Sequence, residues 1–229
     1  AKTCKTCKTV ISGFDQVGDK VYYYNADGSV TSGERVLNAA YNGVTADWYL
    51  KNGELLYNFR GAVTVSGVDY IITEGKCRKV VTESDKTLFR AFKEVAKSTT
   101  PDMAKEEKLR ACFEYCKTAY KERRPRTPHY QGMDWPVVYA NDMFVGTGGN
   151  CFSYAAAFAY MAKAIGYENV YACNSGGHGW AEIDGLVYDP EWSKNFHYYS
   201  YYALSYDTKT DVNYKRALTK TAPWMYIKI

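Results

Sequence analysis

The stretch Gly148-Gly149-Asn150-Cys151-Phe152-Ser153-Tyr154-Ala155-Ala156-Ala157-Phe158-Ala159-Tyr160-Met161-Ala162-Lys163-Ala164-Ile165-Gly166 decides how the larger part of this 229-residue chain is read. Its alanine-rich run favours a helix and Gly166 stops it, so a helix is predicted over Cys151–Ile165 with a cysteine at its first position. A thiol at a helix start feels the positive end of the dipole and unpaired backbone N–H groups, which favour thiolate over thiol. The same N–H groups point where a carbonyl oxygen gathers negative charge after thiolate attack, supplying half of an oxyanion hole.

A nucleophilic cysteine needs a base, and the chain holds three histidines. His129 falls in a Pro-rich loop and His197 in the aromatic run Phe196-His197-Tyr198-Tyr199. His178, in Ser175-Gly176-Gly177-His178-Gly179-Trp180-Ala181-Glu182-Ile183, follows a glycine pair and begins an alternating segment that reads as a strand. Across the turn Asp184-Gly185 a second strand, Leu186-Val187-Tyr188-Asp189-Pro190, pairs Ile183 with Leu186 and carries Asp189 to Trp180, within a residue or two of His178. A carboxylate there fixes the tautomer of the imidazole and stabilises its cation.

Upstream, Ser84 or Asp85 is expected to cap a helix reaching about Lys97, with Leu88, Phe89, Phe92, Val95 and Ala96 at helical spacing. Thr100 as cap and Pro101 in the first turn predict a longer helix with the stripe Leu109, Cys112, Phe113, Cys116, Ala119 and Tyr120, ending before Arg124-Pro125. From Pro125 to Asn150 the chain reads as a long irregular connection. Residues 20 to 80 read differently again. Three pieces, Val21–Val30, Asp47–Leu55 and Asp69–Cys77, each join an aromatic-rich strand to a second strand through Asp-Gly, Asn-Gly or Glu-Gly. Their turn glycines 28, 53 and 75 lie 25 and 22 residues apart, the spacing of a stacked repeat. The division is therefore a β-hairpin repeat module over residues 1–80 and an α+β domain over residues 81–229.

The order Gly149-Asn150-Cys151 with an Ala-rich helix, then Gly177-His178-Gly179-Trp180-Ala181-Glu182-Ile183, then Val187-Tyr188-Asp189-Pro190-Glu191-Trp192, resembles the transglutaminase-like family of papain-like cysteine enzymes. The resemblance implies helices packed on an antiparallel sheet, Cys151 as nucleophile, His178 as general base and acid, Asp189 as its orienter, and Trp180 as an aromatic wall on the substrate side. It also implies a second oxyanion donor from upstream, for which Trp135 and Tyr139 are candidates. The implied activity is acyl transfer on protein or peptide amides, a peptidase or amidase where water resolves the thioester and a crosslinking transglutaminase where an amine does. The hairpin units resemble Gram-positive cell-wall-binding repeats of the choline- and glucan-binding type. That implies cell-wall polysaccharide or teichoic acid as a partner, an extracellular or wall-attached location, and, as the competing reading, a non-catalytic adhesion protein with a relic core.

Composition bounds these readings. With 46% hydrophobic and 24% charged residues and a net charge of +4, the chain is an ordinary globular one, and disorder, collagen and coiled coil are excluded. Its charge is evenly spread, without the basic face that nucleic acid demands. No apolar run approaches the roughly 18 residues that cross a bilayer. The chain opens on Ala1 as a trimmed or processed chain would. Seven cysteines cannot all pair within one chain. Cys4 and Cys7 could bind metal or form a redox pair, but no second pair at zinc-site spacing follows, and neither metal nor cofactor is expected. Cys112, Cys116 and Cys173 are expected in the core.

Overall fold

A computed structural model describes residues 12–123, 130–196, 200–208, 214 and 218–229. It is a mixed α+β structure in two compact units, Ala1–Val81 and Thr82–Ile229, dividing within a residue of the expected boundary. Cys4, Cys7, His129 and His197 lie outside the described residues.

In the first unit, β1 (Gly13–Val17), β2 (Lys20–Tyr24), β3 (Glu34–Tyr41), β4 (Val44–Lys51), β5 (Glu54–Leu55), β6 (Gly61–Val65), β7 (Val68–Thr73) and β8 (Lys76–Lys79) form one sheet. The order is β1-β2-β5-β4-β8-β7-β6, with β3 also paired to β4. Around β4 and β7 a long and a short hairpin turn alternate, two turns where the Asn-Gly and Glu-Gly spacing alone predicts one. Gly18, Gly43 and Gly67 close the long hairpins, while Gly53 and Gly75 close the short ones. The pairs Asn42-Gly43, Asn52-Gly53, Ser66-Gly67 and Glu74-Gly75 all have positive φ at both positions, as a type I′ turn requires. The expected second strand after Gly28 does not form. Asn25 and Ser29 instead close a turn, with the Asn25 N–H on the Ser29 carbonyl at 2.8 Å.

The short strands knit the repeats together. β5 pairs with both β2 and β4, and β8 with both β4 and β7. Tyr23 N–H donates to the Gly53 carbonyl at 2.9 Å, and Tyr49 N–H repeats that bond to Gly75 at 2.8 Å. On β4, Trp48 and Leu50 join Val21 and Leu55 on one face, while Tyr49 joins Val65, Tyr70 and Ile72 on the other. The central strand thereby buries both its faces against neighbouring repeats, which no single hairpin could do.

The second unit begins with α1 (Glu83–Val95), α2 (Lys105–Ala119) and β9 (Lys121–Glu122), followed by α3 (Trp135–Phe144) and β10 (Gly148–Gly149). Then come α4 (Cys151–Ile165), β11 (Val170–Asn174), β12 (Gly179–Ile183), β13 (Leu186–Tyr188), α5 (Pro190–Asn195) and β14 (Tyr226–Lys228). Their sheet is antiparallel, in the order β13-β12-β11-β14. Three local expectations change. The cap of α1 is Thr82, with Asp85 closing the reciprocal bond from N3. The second helix starts at Lys105 rather than at Pro101, because the Glu107 carboxylate reaches back to the Ala104 N–H at 2.8 Å and fixes the start there. The connection before Cys151 contains a helix, α3, whose signals were Pro136 in the first turn and Trp135, Tyr139 and Met143 four residues apart.

Helix α4 is the centre of this unit. Twelve of its 15 residues are buried, so it is apolar all round, as a helix enclosed by its neighbours must be. It packs against α1, α2 and α3 and against β11 and β12, and its alanines let them approach closely. Cys112 and Cys116 lie fully buried in this core, and Cys173 in a second cluster with Trp180 and Val187. Among the described residues no helix is long and apolar enough to cross a membrane.

Candidate active site

Cys151 stands at the first position of α4. Asn150 caps the helix, its side-chain oxygen accepting from the N–H groups of Phe152 at 3.1 Å and Ser153 at 3.3 Å. Just before it, Gly148 and Gly149 run parallel to Lys121 and Glu122. A Cβ on Gly149 would come within 2.2 Å of the Ser153 hydroxyl, so only glycine lets the chain turn this tightly into the helix. The thiol is partly exposed.

His178 arrives from the other side, at the start of β12. A small loop holds it: Ser175 N–H donates to the His178 carbonyl at 2.9 Å, His178 N–H donates to the Ser175 hydroxyl at 3.2 Å, and the Asn174 side chain takes the Gly176 N–H. Gly179 sets the approach. A Cβ there would meet Phe152 Cα at 2.9 Å and the Cys151 carbonyl at 3.2 Å, so the strand lies flush against the first turn of α4. That contact is what brings the imidazole to the thiol, and it was not read from the sequence, where a glycine beside a histidine signals only flexibility.

Asp189 directly follows β13, carried next to Trp180 by the register the two-residue turn sets: Ala181 faces Tyr188 and Ile183 faces Leu186. Its carboxylate is shared. Oδ2 meets His178 Nε2 at 2.5 Å, and Oδ1 accepts the Trp192 N–H at 2.8 Å as the cap of α5. Asp189 and His178 are 1% and 6% exposed, so the pair is shut off from water. With Nε2 committed to Asp189, Nδ1 is the nitrogen left to face Cys151, whose thiol is among the groups that raise the ring's pKa. Burial alone pulls the imidazole toward neutrality, but the Asp189 charge and hydrogen bond, together with Cys151, outweigh it and hold the ring well above its ordinary pKa. The indole of Trp192 stands edge-on to the His178 ring at 4.6 Å and screens this ion pair. In the sequence, Trp192 carries no signal beyond its place at the end of the motif Val187–Trp192.

Trp180 is placed differently from its expected role. It is fully buried, its indole N–H donating to the Tyr206 hydroxyl at 2.9 Å, and it presents no surface to a substrate. Strand alternation is the reason: Trp180 shares a face with His178, and that face packs on Cys173, Val187 and Tyr201. The two upstream aromatic candidates are likewise committed to the core. Trp135 and Tyr139 are fully buried against Phe152, with the Trp135 indole N–H on the Trp224 carbonyl at 2.9 Å and the Tyr139 hydroxyl accepting from the Tyr130 N–H.

His178, Asp189 and Glu191 form the one cluster among the described residues compact enough to suggest a metal, with one donor atom of each within 4.8 Å of the others. His178 and Asp189 already use their facing atoms on each other, so the cluster reads as an ion-pair network. A cavity of about 360 Å³ lies beside the first turn of α4, lined by Arg123, Asp142, Asn150 and Ser153 among others. Cys151 is not part of its wall, so it is not the space over the sulfur. Comparison with protein-family profiles, with curated proteins and with solved structures returns no match.

Proposed function

We propose that the chain is a cysteine-nucleophile acyl-transfer enzyme acting on protein or peptide amides, a peptidase or amidase, with Cys151, His178 and Asp189 as its triad. The observation that carries this reading is the His178 ring bound through Nε2 to Asp189 at 2.5 Å, with the Cys151 thiol, at the start of a buried helix, near enough to act on its charge. A helix bearing the nucleophile, packed on an antiparallel sheet bearing the base and its orienter, also supports a papain-like core.

In the reaction, the Cys151 proton already resides on His178 and the thiolate attacks the amide carbonyl, forming a C–S bond. The cap takes the N–H groups of Phe152 and Ser153, so the Cys151 N–H ahead of them is the donor placed for the oxyanion. The imidazolium then protonates the departing nitrogen, the C–N bond breaks, and a thioester remains. Water, deprotonated by His178, releases the acid; a second amine at the same step gives a crosslinked product, the transglutaminase alternative. Asp189 stabilises the imidazolium throughout. The aromatic repeats, with Phe14, Tyr23 and Tyr41 half-buried in contact at 5.1 Å between centroids, suit a polysaccharide or teichoic acid of the cell wall, which would place the enzyme outside the cell.

The test is the rate of iodoacetamide alkylation at Cys151 against pH, in the parent and in His178→Ala. Fast modification persisting well below the free-thiol value of about 8.5, and lost in the variant, is expected. A rate that follows an ordinary thiol titration and ignores the substitution overturns the proposal.

A further inference from the structure

We propose that Glu191 is a positioning residue of this site: set beside the Asp189–His178 pair and held by Asn195, its carboxylate adds a second negative charge that keeps the imidazole protonated. The geometry is specific. One oxygen of Glu191 lies within 4.8 Å of the donor atoms of both His178 and Asp189. Asn195, one helical turn on, donates to Glu191 Oε1 at 3.0 Å and to Glu122 Oε1 at 2.9 Å, which fixes the carboxylate in place and ties α5 to the strand beside Gly148-Gly149.

The groups around Glu191 come from four elements. Asp189 caps its own helix, His178 enters from β12, Glu122 from β9, and the Tyr154 hydroxyl from α4, where Lys194 holds it at 3.0 Å. Among the described residues no lysine or arginine pairs with Glu191. Burial, followed by the neighbouring Asp189 charge, pushes its carboxyl up to about 7, against the pull of His178. Glu191 therefore exchanges its proton in the neutral range. Charged, it reinforces the imidazolium; protonated, it leaves the imidazolium to Asp189 and Cys151. The effect on rate rests on the acyl-transfer reading, whereas the effect on the imidazole does not.

The experiment follows the His178 Cε1–H signal by NMR against pH in the intact parent, in Glu191→Gln and in Glu191→Asp, with His178→Ala identifying the signal. A like-sized loss of charge at this distance is expected to lower the His178 titration by about one pH unit in Glu191→Gln and to remove a second inflection near neutrality, with both features largely restored in Glu191→Asp. Superimposable titrations in parent and Glu191→Gln overturn the inference. The alkylation profile separates the two readings. An activated, His178-dependent thiol with no response to Glu191→Gln sinks this inference alone, whereas a thiol indifferent to His178 sinks the enzyme reading and leaves the NMR result to decide the charge effect.

Discussion

The two units solve the problem of burial in opposite ways. In the repeat sheet each hairpin packs on its neighbours through short strands, and the core is split into two small clusters on either face of β4. In the other unit one helix, α4, is enclosed by three helices and a sheet, and a single large cluster surrounds it. A stack of hairpins gives each repeat nearly the same surroundings. In the enclosed unit Cys151, His178 and Asp189 instead converge from separate elements, a helix start, the approach to a strand and the end of one. The difference explains why side chains far apart in sequence can meet in the enclosed unit, whereas the stacked one repeats similar local surroundings.

The comparison can be broken most forcefully at the centre of α4. Phe158 is fully buried with its ring against Phe113 and Tyr188, and Phe158→Ala is expected to cost about 3–5 kcal/mol. All α-helices among the described residues lie in residues 82–229, so loss of helical circular dichroism at a markedly lower temperature reports that unit. An unchanged helical melt would show that α4 is not its keystone.

The next effect is one of pH. The folded state raises the pKa of His178, so its contribution is fully present below the unfolded value of 6.5 and fades as pH rises through the higher folded value. Glu191, raised from 4.5 to about 7, contributes in the same direction, its part lost across that interval. Helical stability measured by urea at pH 5, 7 and 9 is expected to fall in that order, and the decline above 6.5 is expected to flatten in His178→Gln. A decline of equal steepness in the variant would remove the ion pair from the account.

Smaller effects sharpen the repeat side. Gly75 has φ +72°, and a Cβ there would meet Tyr57 Cα at 2.8 Å and the Leu56 carbonyl at 2.9 Å, so Gly75→Ala carries strain and a backbone clash, about 2 kcal/mol or more. Gly43 has φ +76° with nothing within 4 Å, so Gly43→Ala carries the strain alone, about 1 kcal/mol. Equal shifts in thermal midpoint would mean that the short turns do not lock one repeat to the next. Asn150→Ala removes the cap behind Cys151 and is expected to cost about 1 kcal/mol, read in the same helical melt.

Much of this was legible because it is local. The Asp184-Gly185 turn set the register that carries Asp189 next to Trp180, and the turn glycines announced a repeat. Other features were hidden for physical reasons. Helix α3 lay in a stretch punctuated by proline and glycine, where its three-residue apolar stripe was too short to outweigh the breakers. The role of Trp180 could not be judged from strand alternation alone, because both faces of β12 are covered.

The sequence by itself determined the hairpins, the apolar helix that begins at Cys151, and the identity of a thiol, an imidazole and a carboxylate in compatible order, since turn chemistry and helix propensity act within a few residues. Only the tertiary structure decided that Gly179 brings β12 against the first turn of α4, that Asp189 divides its oxygens between His178 and a helix cap, that Trp192 covers the pair, and that Glu191 stands beside it. These depend on packing between elements far apart in sequence, where close approach and exclusion of water set both geometry and charge.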